Sequence, residues 1–141
     1  MAVIPDSARK ILESGRLAHL VTLNKGGGSQ VTCVWTGTDG DEIVIGHLSE
    51  HLKVRNVRRD DRVALSIDTE ETDPNGLTRY LVVYGTARIQ EGGAPELLQK
   101  LAYTYIGPGV KFPPMPEPPP GYVMRITPER FSGVGPWARG E

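Results

Sequence analysis

The sequence predicts a mainly β domain in which about six short antiparallel strands close into a small barrel, with short helices at the ends of the sheet. Six segments are apolar at alternating positions or rich in β-branched residues. Glycine and proline, 17 and 12 of 141 residues, mark turns between them. Closure into a barrel would bury both sheet edges in a chain of this size. The predicted strands cover residues 17–23, 30–36, 42–47, 63–68, 79–89 and 122–126.

Three short helices complete the predicted order. The first includes Ile11 and ends before Gly15, a residue suited to a helix C-terminus. The second is expected over residues 50–58, with Ser49 as its N-cap. The third is expected over residues 95–103, where leucines recur on one face.

The connections carry further expectations about topology. Turns at residues 25–28 and 38–41 make the first three strands an antiparallel meander. Residues 69–77 read as a polar loop, and Gly85 within a long strand indicates a bulge or a close backbone approach.

Two segments fall outside this pattern. Residues 107–121 hold seven prolines and are predicted to be an irregular loop. The glycine-containing tail at residues 133–141 is predicted to be extended. The whole chain, residues 1–141, is expected to form one domain.

Composition narrows the classes of function. The net charge of −1 gives no reason to expect a nucleic-acid partner. The N-terminus lacks a signal peptide's apolar segment, and no run approaches the roughly 20 apolar residues of a membrane span. The single cysteine, Cys33, excludes an intrachain disulfide. We therefore expect a cytoplasmic protein that binds neither nucleic acid nor membranes.

The second predicted helix is the most basic part of the chain. At 100° per residue, four side chains share one face, namely those of His51, Arg55, Arg58 and Arg59. Lys53 lies in the first turn, with Ser49 and His51 beside it. A helix N-terminus flanked by these groups favours phosphate binding. The alternative is a solvated basic face paired with carboxylates such as Asp60 and Asp61.

Few other residues suggest catalysis. The three histidines lack the spacing of metal ligands, and both His19 and Cys33 are expected to be packed side chains. There is no nucleophile elbow, P-loop, or pair of acids placed for glycoside hydrolysis, so we assign neither catalytic nor metal-binding residues. A cofactor that carries its own chemistry fits this inventory.

Three segments together resemble a known family. They are residues 15–35, residues 51–67 with the run KVRNVRRDDRVA, and residues 80–89 with Gly85. They resemble the split β-barrel family of pyridoxamine-phosphate-oxidase-like, FMN-binding-fold proteins, and look most similar to actinobacterial enzymes that use the deazaflavin coenzyme F-420.

The resemblance implies roles for particular residues. Lys53 would bind the cofactor phosphate, helped by His51 and Ser49. Arg55 and Asn56 match the same motif. The ring of the cofactor would lie against Gln30, Val31 and Thr32. The resemblance also implies a homodimer with the cofactor in a groove between subunits.

Three functions remain open from the sequence. The first is an oxidoreductase that transfers a hydride from reduced F-420 to an electron-poor C=C bond of a small enone or lactone. The second is an FMN-dependent oxidase or reductase of the same fold, and the third a non-enzymatic binder of F-420 or flavin.

Arg55, Arg58 and Arg59 would contact the carboxylate tail that F-420 has and FMN lacks. Exposed aromatic residues at Trp35, Tyr80, Tyr84 or Trp137 would favour dimerisation.

Overall fold

A seven-stranded antiparallel sheet forms the centre of the protein in this computed structural model, which describes residues 2–139. Three helices and one short 3-10 helix surround it. In chain order the elements are α1 (Asp6–Leu12), β1 (Ala18–Leu23), β2 (Ser29–Val34), β3 (Gly37–Asp39), β4 (Glu42–His47), α2 (Leu52–Arg59), β5 (Arg62–Thr72), β6 (Thr78–Glu91), α3 (Ala94–Tyr105), β7 (Tyr122–Val134) and the 3-10 helix Pro136–Arg139.

The mainly β, antiparallel prediction is confirmed, but the sheet is open and has one more strand than expected. The strand order is β2-β1-β5-β6-β7-β4-β3, so β2 and β3 are edges and are not hydrogen-bonded to each other. The additional strand is β3, which lies partly inside the predicted turn at residues 38–41. Thr38 and Asp39 pair with Ile43 and Glu42, which shortens that turn.

The predicted meander of the first three strands is wrong. β1 and β2 form a hairpin, but β4 pairs with β3 and β7. Ile43 lies opposite Ile126 and Ile45 opposite Met124, and all four side chains are buried. Burial of this apolar face, about 25 cal/mol per Å² of apolar surface, favours the long-range pairing.

Strands β5 and β7 extend well beyond the predicted limits at their C-terminal ends, whereas β6 closely matches its predicted range. Residues 69–72, expected in a loop, continue β5, and the Thr69 hydroxyl donates to the Arg79 carbonyl oxygen at 2.7 Å. Residues 133 and 134 of the tail are extended as the end of β7, but residues 136–139 form a 3-10 turn that buries Trp137 in the core at 4% exposure. Residues 140–141 of the predicted tail lie outside the described residues.

The helices agree with the sequence apart from one boundary. α2 begins at Leu52 with His51 at the N-cap position, and Ser49 does not cap it. The His51 N–H donates to the Ser49 carbonyl oxygen at 2.9 Å, which places a turn before the helix. The proline-rich segment, which we define as residues 107–121, has neither helix nor strand, as predicted. No helix within residues 2–139 has the length and hydrophobicity needed to cross a membrane.

The predicted irregularity at Gly85 is confirmed. The β6–β7 register shifts between Tyr84 and Gly85. A Cβ atom on Gly85 would lie 2.3 Å from the Thr127 carbonyl oxygen, so glycine allows the two backbones to approach.

We predict that Gly85→Ala lowers the free energy of unfolding by about 2 kcal/mol or more, because the added methyl group must push two central strands apart. Urea denaturation measures the change. Gly26→Ala is the matched control, since a Cβ atom on Gly26 would have no neighbour within 4 Å and the backbone there is not left-handed. Equal stability of the two variants would contradict the close approach.

Candidate functional site

A buried asparagine fixes the position of α2 against the first hairpin. Asn56 is fully buried, and its Nδ2 donates to Thr22 Oγ1 at 3.0 Å and to Asn24 Oδ1 at 2.9 Å. Val54 and Val57 are also buried, at 0% and 3% exposure, so they hold the side of α2 that faces the sheet. The basic face therefore points outward, and Asn56 has a structural role.

Each of the three arginines of α2 has an intramolecular hydrogen-bond acceptor. Arg55 donates to the Glu50 carbonyl oxygen at 3.0 Å. Arg58 pairs with the Glu50 carboxylate and lies 5.3 Å from the centre of the Tyr122 ring. Arg59 donates to the Leu23 carbonyl oxygen and, at 3.3 Å, to Asn56 Oδ1. Arg55 and Arg58 both contact Glu50, whereas Arg59 contacts the first hairpin, and the role of the three toward a carboxylate tail stays a prediction.

Asp60, one of the carboxylates expected to neutralise the basic face, pairs elsewhere. Asp60 binds Arg62 at 2.8 Å, beyond the end of the helix. That contact lowers the pKa of Asp60 to about 2, chiefly through the side-chain hydrogen bond from Arg62. Asp60 thus pairs with Arg62, and the helix arginine that has carboxylate partners is Arg58, which pairs with Glu50 and, at 3.9 Å, with Glu91.

A cavity of about 260 Å³ lies at the N-terminal end of α2. It is bounded by the last part of β2, the end of β4, α3 and the proline-rich segment. Its lining residues are Leu17, Cys33, Val34, Trp35, Ile45, Gly46, His47, His51, Lys53, Leu98 and Phe112. We call this the α2 cavity.

Lys53 and His51 are the predicted phosphate ligands that the fold brings to the α2 cavity. Ser49 lies next to them, with its Oγ 3.2 Å from His51 Nε2. Burial lowers the pKa of Lys53 below its ordinary value. Lys53 forms no ion pair with any carboxylate within residues 2–139. Its charge therefore faces the cavity without an internal counter-ion.

Two histidine rings meet edge to face beside Lys53. The centroids of His47 and His51 are 5.9 Å apart. Burial, with smaller contributions from the charges of Lys53 and His51, lowers the pKa of His47 to about 3. The pKa of His51 is also lowered, first by burial and then by Lys53. His47 is thus neutral at pH 7, and its Nε2 is buried without a hydrogen-bond partner in the part of the chain described.

The predicted ring contacts lie further along β2, outside the α2 cavity. Val31 is 60% exposed on the outer face of this edge strand. The Thr22 hydroxyl donates to Gln30 Oε1 at 3.3 Å, and Thr32 Oγ1 is buried without a partner among the described residues. The three residues precede Cys33 on the same strand, so a ligand lying along β2 could contact both regions.

Cys33 is exposed, and its prediction as a packed core thiol is wrong. Val34 of β2 is buried, so the side chain of the preceding Cys33 points to the opposite, outer face of the sheet. There Cys33 lies opposite His19 of β1. His19 is half-buried there.

The sequence did not indicate the aromatic wall of the α2 cavity. Trp35 stacks on Tyr105, with ring centres 5.1 Å apart, and Phe112 lies 5.1 Å from Trp35 at a tilt of 50°. Neither Tyr105 nor Phe112 belongs to a motif. Trp35 is the last residue of the segment 15–35 that carried the family resemblance. It was the one residue of this wall that the sequence analysis had singled out.

A second cavity, of about 670 Å³, lies between α3 and strands β3, β4 and β7. None of the predicted ligand residues lines it. Two cations line it: Arg125, which is neutralised by Asp39 at 2.9 Å and Glu42 at 3.2 Å, and Lys100, which is exposed. The carboxylates of Glu13 and Asp39 belong to the same lining. Lys53 is half-buried, has no carboxylate partner within residues 2–139 and faces a lining without acidic residues, so the smaller α2 cavity is the better candidate for an anionic ligand. No group of three His, Cys, Asp or Glu able to hold a metal occurs within residues 2–139.

Comparison with known proteins adds an independent line of evidence. The family model for pyridoxamine 5′-phosphate oxidase matches residues 4–135. A solved F-420 reductase is 28% identical, with a TM-score of 0.73 over 92% of this chain and 98% of that chain. No curated protein sequence matches significantly.

More distant solved structures share the fold alone. A conserved hypothetical protein from Mycobacterium tuberculosis is 21% identical, with a TM-score of 0.69 over 99% of this chain and 90% of that chain. An FMN-binding protein from Syntrophomonas wolfei subsp. wolfei is 11% identical, with a TM-score of 0.67 over 91% and 84% of the two chains.

Buried His47 should make stability depend on pH. Its pKa is about 3 in the folded protein and about 6.5 when unfolded, so between these values the unfolded chain binds more protons and stability falls as the pH falls. The wild type should therefore lose free energy of unfolding between pH 7.5 and 5.0. We predict that His47→Gln makes this loss smaller by up to about 2 kcal/mol, because glutamine binds no proton in this range. Urea unfolding at both pH values measures this, with His19→Gln as the control. The same acid loss in His47→Gln and wild type would contradict the prediction.

Proposed function

Since the chain belongs to the pyridoxamine 5′-phosphate oxidase family, we propose that it is an oxidoreductase that binds the deazaflavin coenzyme F-420 and directs hydride transfer to an electron-poor C=C bond of a small enone or lactone. The observation that supports this proposal is the unpaired, partly buried Lys53 in the α2 cavity. The likeness to an F-420 reductase favours the deazaflavin.

Lys53 is suited to hold the phosphate of the cofactor. The first N–H groups of α2 have no acceptor within the helix, and the helix dipole favours an anion at that end. None of the eleven residues that line the α2 cavity is acidic. A phosphate at this point would gain the Lys53 ammonium, the helix N–H groups, and hydrogen bonds from His51 and Ser49.

The other proposed role of the chain is to orient the bound cofactor. Bound reduced deazaflavin supplies the hydride, so the protein need not provide a nucleophile. We propose that Gln30, Val31 and Thr32 position its ring along β2, where the side chain of Val31 is exposed. Arg55 and Arg58, at the outer surface of α2, are the proposed contacts for the carboxylate tail, together with Arg59. The tail would compete with the Glu50 carboxylate for Arg58.

FMN is the alternative cofactor, because an FMN-binding protein shares the fold. FMN ends at its phosphate and would use Lys53 without the arginines. A non-enzymatic binder of either cofactor would have the same α2 cavity, and it would differ by turning over no acceptor.

We further propose that two copies of the chain form the complete site. The outer face of the sheet exposes Val31, Cys33, Tyr80 and Tyr84. In the strand register, Val21, Ala64 and Val82 lie between these residues on the same face of the sheet. Together they form one continuous surface. A cavity of about 260 Å³ is smaller than the roughly 300–1,000 Å³ of most ligand sites, so a second copy on this face would enclose the cofactor further. Buried Trp137 takes no part in this surface.

We predict that F-420 binds more tightly than FMN, and that Lys53→Met weakens F-420 binding about tenfold or more by removing a charge-assisted contact. Fluorescence titration of the purified variants with each cofactor measures the dissociation constants. Lys25→Met, in the exposed turn after β1, is the control and should bind normally. Unchanged F-420 affinity in Lys53→Met would refute the phosphate site, and tighter binding of FMN than of F-420 would refute the deazaflavin assignment.

For assembly, we predict that the wild-type protein sediments at twice the 15.4 kDa mass of the chain and that Val31→Glu converts it to monomers. A carboxylate there would lose its hydration in an apolar interface without gaining a partner. Val3→Glu is the matched control, because Val3 is 72% exposed and lies outside the proposed surface. Sedimentation velocity at micromolar concentration distinguishes the forms, and a monomeric wild type would rule out the dimer.

A further inference from the structure

The second cavity, of about 670 Å³ between α3 and strands β3, β4 and β7, is separate from the α2 cavity. The two cavities have no lining residue in common. The volume of the second cavity falls within the roughly 300–1,000 Å³ of most small-molecule sites. The proposed function leaves this cavity without a role.

Aliphatic side chains form the apolar part of the second cavity. Leu97 and Leu101 of α3 lie on one side, and Val44 of β4 and Val123 of β7 lie on the other. Gly37 of β3 lets Leu101 approach the sheet, because a Cβ atom there would lie 2.9 Å from that leucine. An aliphatic group of a bound molecule would lose its contact with water here, which favours binding.

The polar side chains at one end of the cavity are already paired with one another. Arg125 donates from Nε to Gln90 Oε1 at 2.7 Å. Its Nη1 donates to Asp39 Oδ2 at 2.9 Å and to Glu42 Oε1 at 3.2 Å. These contacts neutralise the guanidinium and hold Gln90 and Asp39 in place. Arg125 is therefore a structural part of the cavity wall.

Two other charges of the lining, of opposite sign, lack an ion-pair partner. Glu13 follows the last residue of α1, and one of its carboxylate oxygens accepts a hydrogen bond from the Thr38 hydroxyl. Lys100 is exposed on α3, next to Leu101. Neither Glu13 nor Lys100 forms an ion pair within residues 2–139. Glu13 is thus available to a cationic group and Lys100 to an anionic group.

The backbone places these two charges on either side of the apolar part. Thr38, which contacts Glu13, follows Gly37 in β3, and Gly37 faces Leu101, the neighbour of Lys100. Two carboxylates and two cations line the cavity in all, so the lining has no excess charge that would select an anion or a cation alone.

We propose that the second cavity binds a small zwitterion with an apolar body, of the kind that an aliphatic α-amino acid represents. Its ammonium group pairs with Glu13, its carboxylate pairs with Lys100, and its side chain packs against Leu97 and Leu101. A molecule with one charge would leave either Glu13 or Lys100 without a partner. The inference does not depend on the proposed function, because no residue of the α2 cavity takes part.

The test uses L-leucine and three analogues that each lack one of its features, with dissociation constants from NMR titration of the isotope-labelled protein. Glycine lacks the apolar body, 4-methylpentanoate lacks the ammonium group, and 3-methylbutylamine lacks the carboxylate. Leucine should bind about tenfold more tightly than glycine, because its side chain gains the apolar contacts. It should bind about threefold to fivefold more tightly than either singly charged analogue, since ion pairs of exposed groups are weak. The amide shift changes should centre on Gly37 and Leu101.

Two variants assign the charges separately. Glu13→Gln should weaken the binding of leucine and 3-methylbutylamine about threefold to fivefold and leave that of 4-methylpentanoate unchanged. Lys100→Met should weaken leucine and 4-methylpentanoate and leave 3-methylbutylamine unchanged. Both residues are exposed, so the fold should tolerate these changes. Glu96→Gln and Lys111→Met are the matched controls, because Glu96 and Lys111 are exposed and do not line the cavity.

The outcomes decide the site independently of the cofactor. Leucine that binds no more tightly than both singly charged analogues overturns the zwitterion, as does unchanged leucine affinity in both Glu13→Gln and Lys100→Met. Loss of leucine binding in Lys53→Met, or shift changes centred on the α2 cavity, overturns the location. Failure of F-420 and FMN to bind overturns the proposed function alone, because the leucine titrations involve a different cavity.

Discussion

The buried amide of Asn56 is the contact that orients α2, and the candidate site depends on that orientation. Its two donated hydrogen bonds join the helix to Thr22 and Asn24 of the first hairpin. A rotation of the helix would leave this polar group buried and unpaired, at a cost of about 1–3 kcal/mol. The same rotation would expose Val54 and Val57. Because the helix can pack in one way, its N-terminal turn points Lys53 toward the cavity formed by β2, β4 and α3.

The distribution of charge on α2 follows from this packing. A helix with several arginines suggests a broad anion-binding surface, yet the fold gives each arginine an acceptor within the chain. Lys53 has no such partner among residues 2–139, and it is also the cation that burial affects. An anion near Arg58 must compete with the Glu50 carboxylate and with water. An anion near Lys53 displaces no carboxylate, so one lysine defines the candidate site better than the overall basic character of the helix.

Two glycines bring α3 close enough to complete the cavity. A Cβ on Gly37 would lie 2.9 Å from Leu101, and one on Gly46 would lie 3.0 Å from Leu98. Larger residues would hold the helix away from β3 and β4. Since α3 also carries Gln99, whose amide hydrogen-bonds to the backbone of Val110 and Phe112, its distance from the sheet sets where the proline-rich segment and Phe112 lie. The aromatic wall is thus determined by small residues that it does not contact.

The sequence by itself determined the features that depend on local chemistry. These include the antiparallel β character, the three helices, the close backbone approach at Gly85 and the irregular proline-rich segment. A basic motif also predicted Lys53 and His51 as phosphate ligands. Tertiary structure alone decided the strand order, the open edges and the exposure of Cys33, because pairing such as Ile43 with Ile126 joins residues far apart in the chain. It also decided the contact of Phe112 with Trp35, since neither residue's neighbours in sequence specify the other. Local patterns therefore identified the polar half of the candidate site, whereas its aromatic half exists only where distant segments meet.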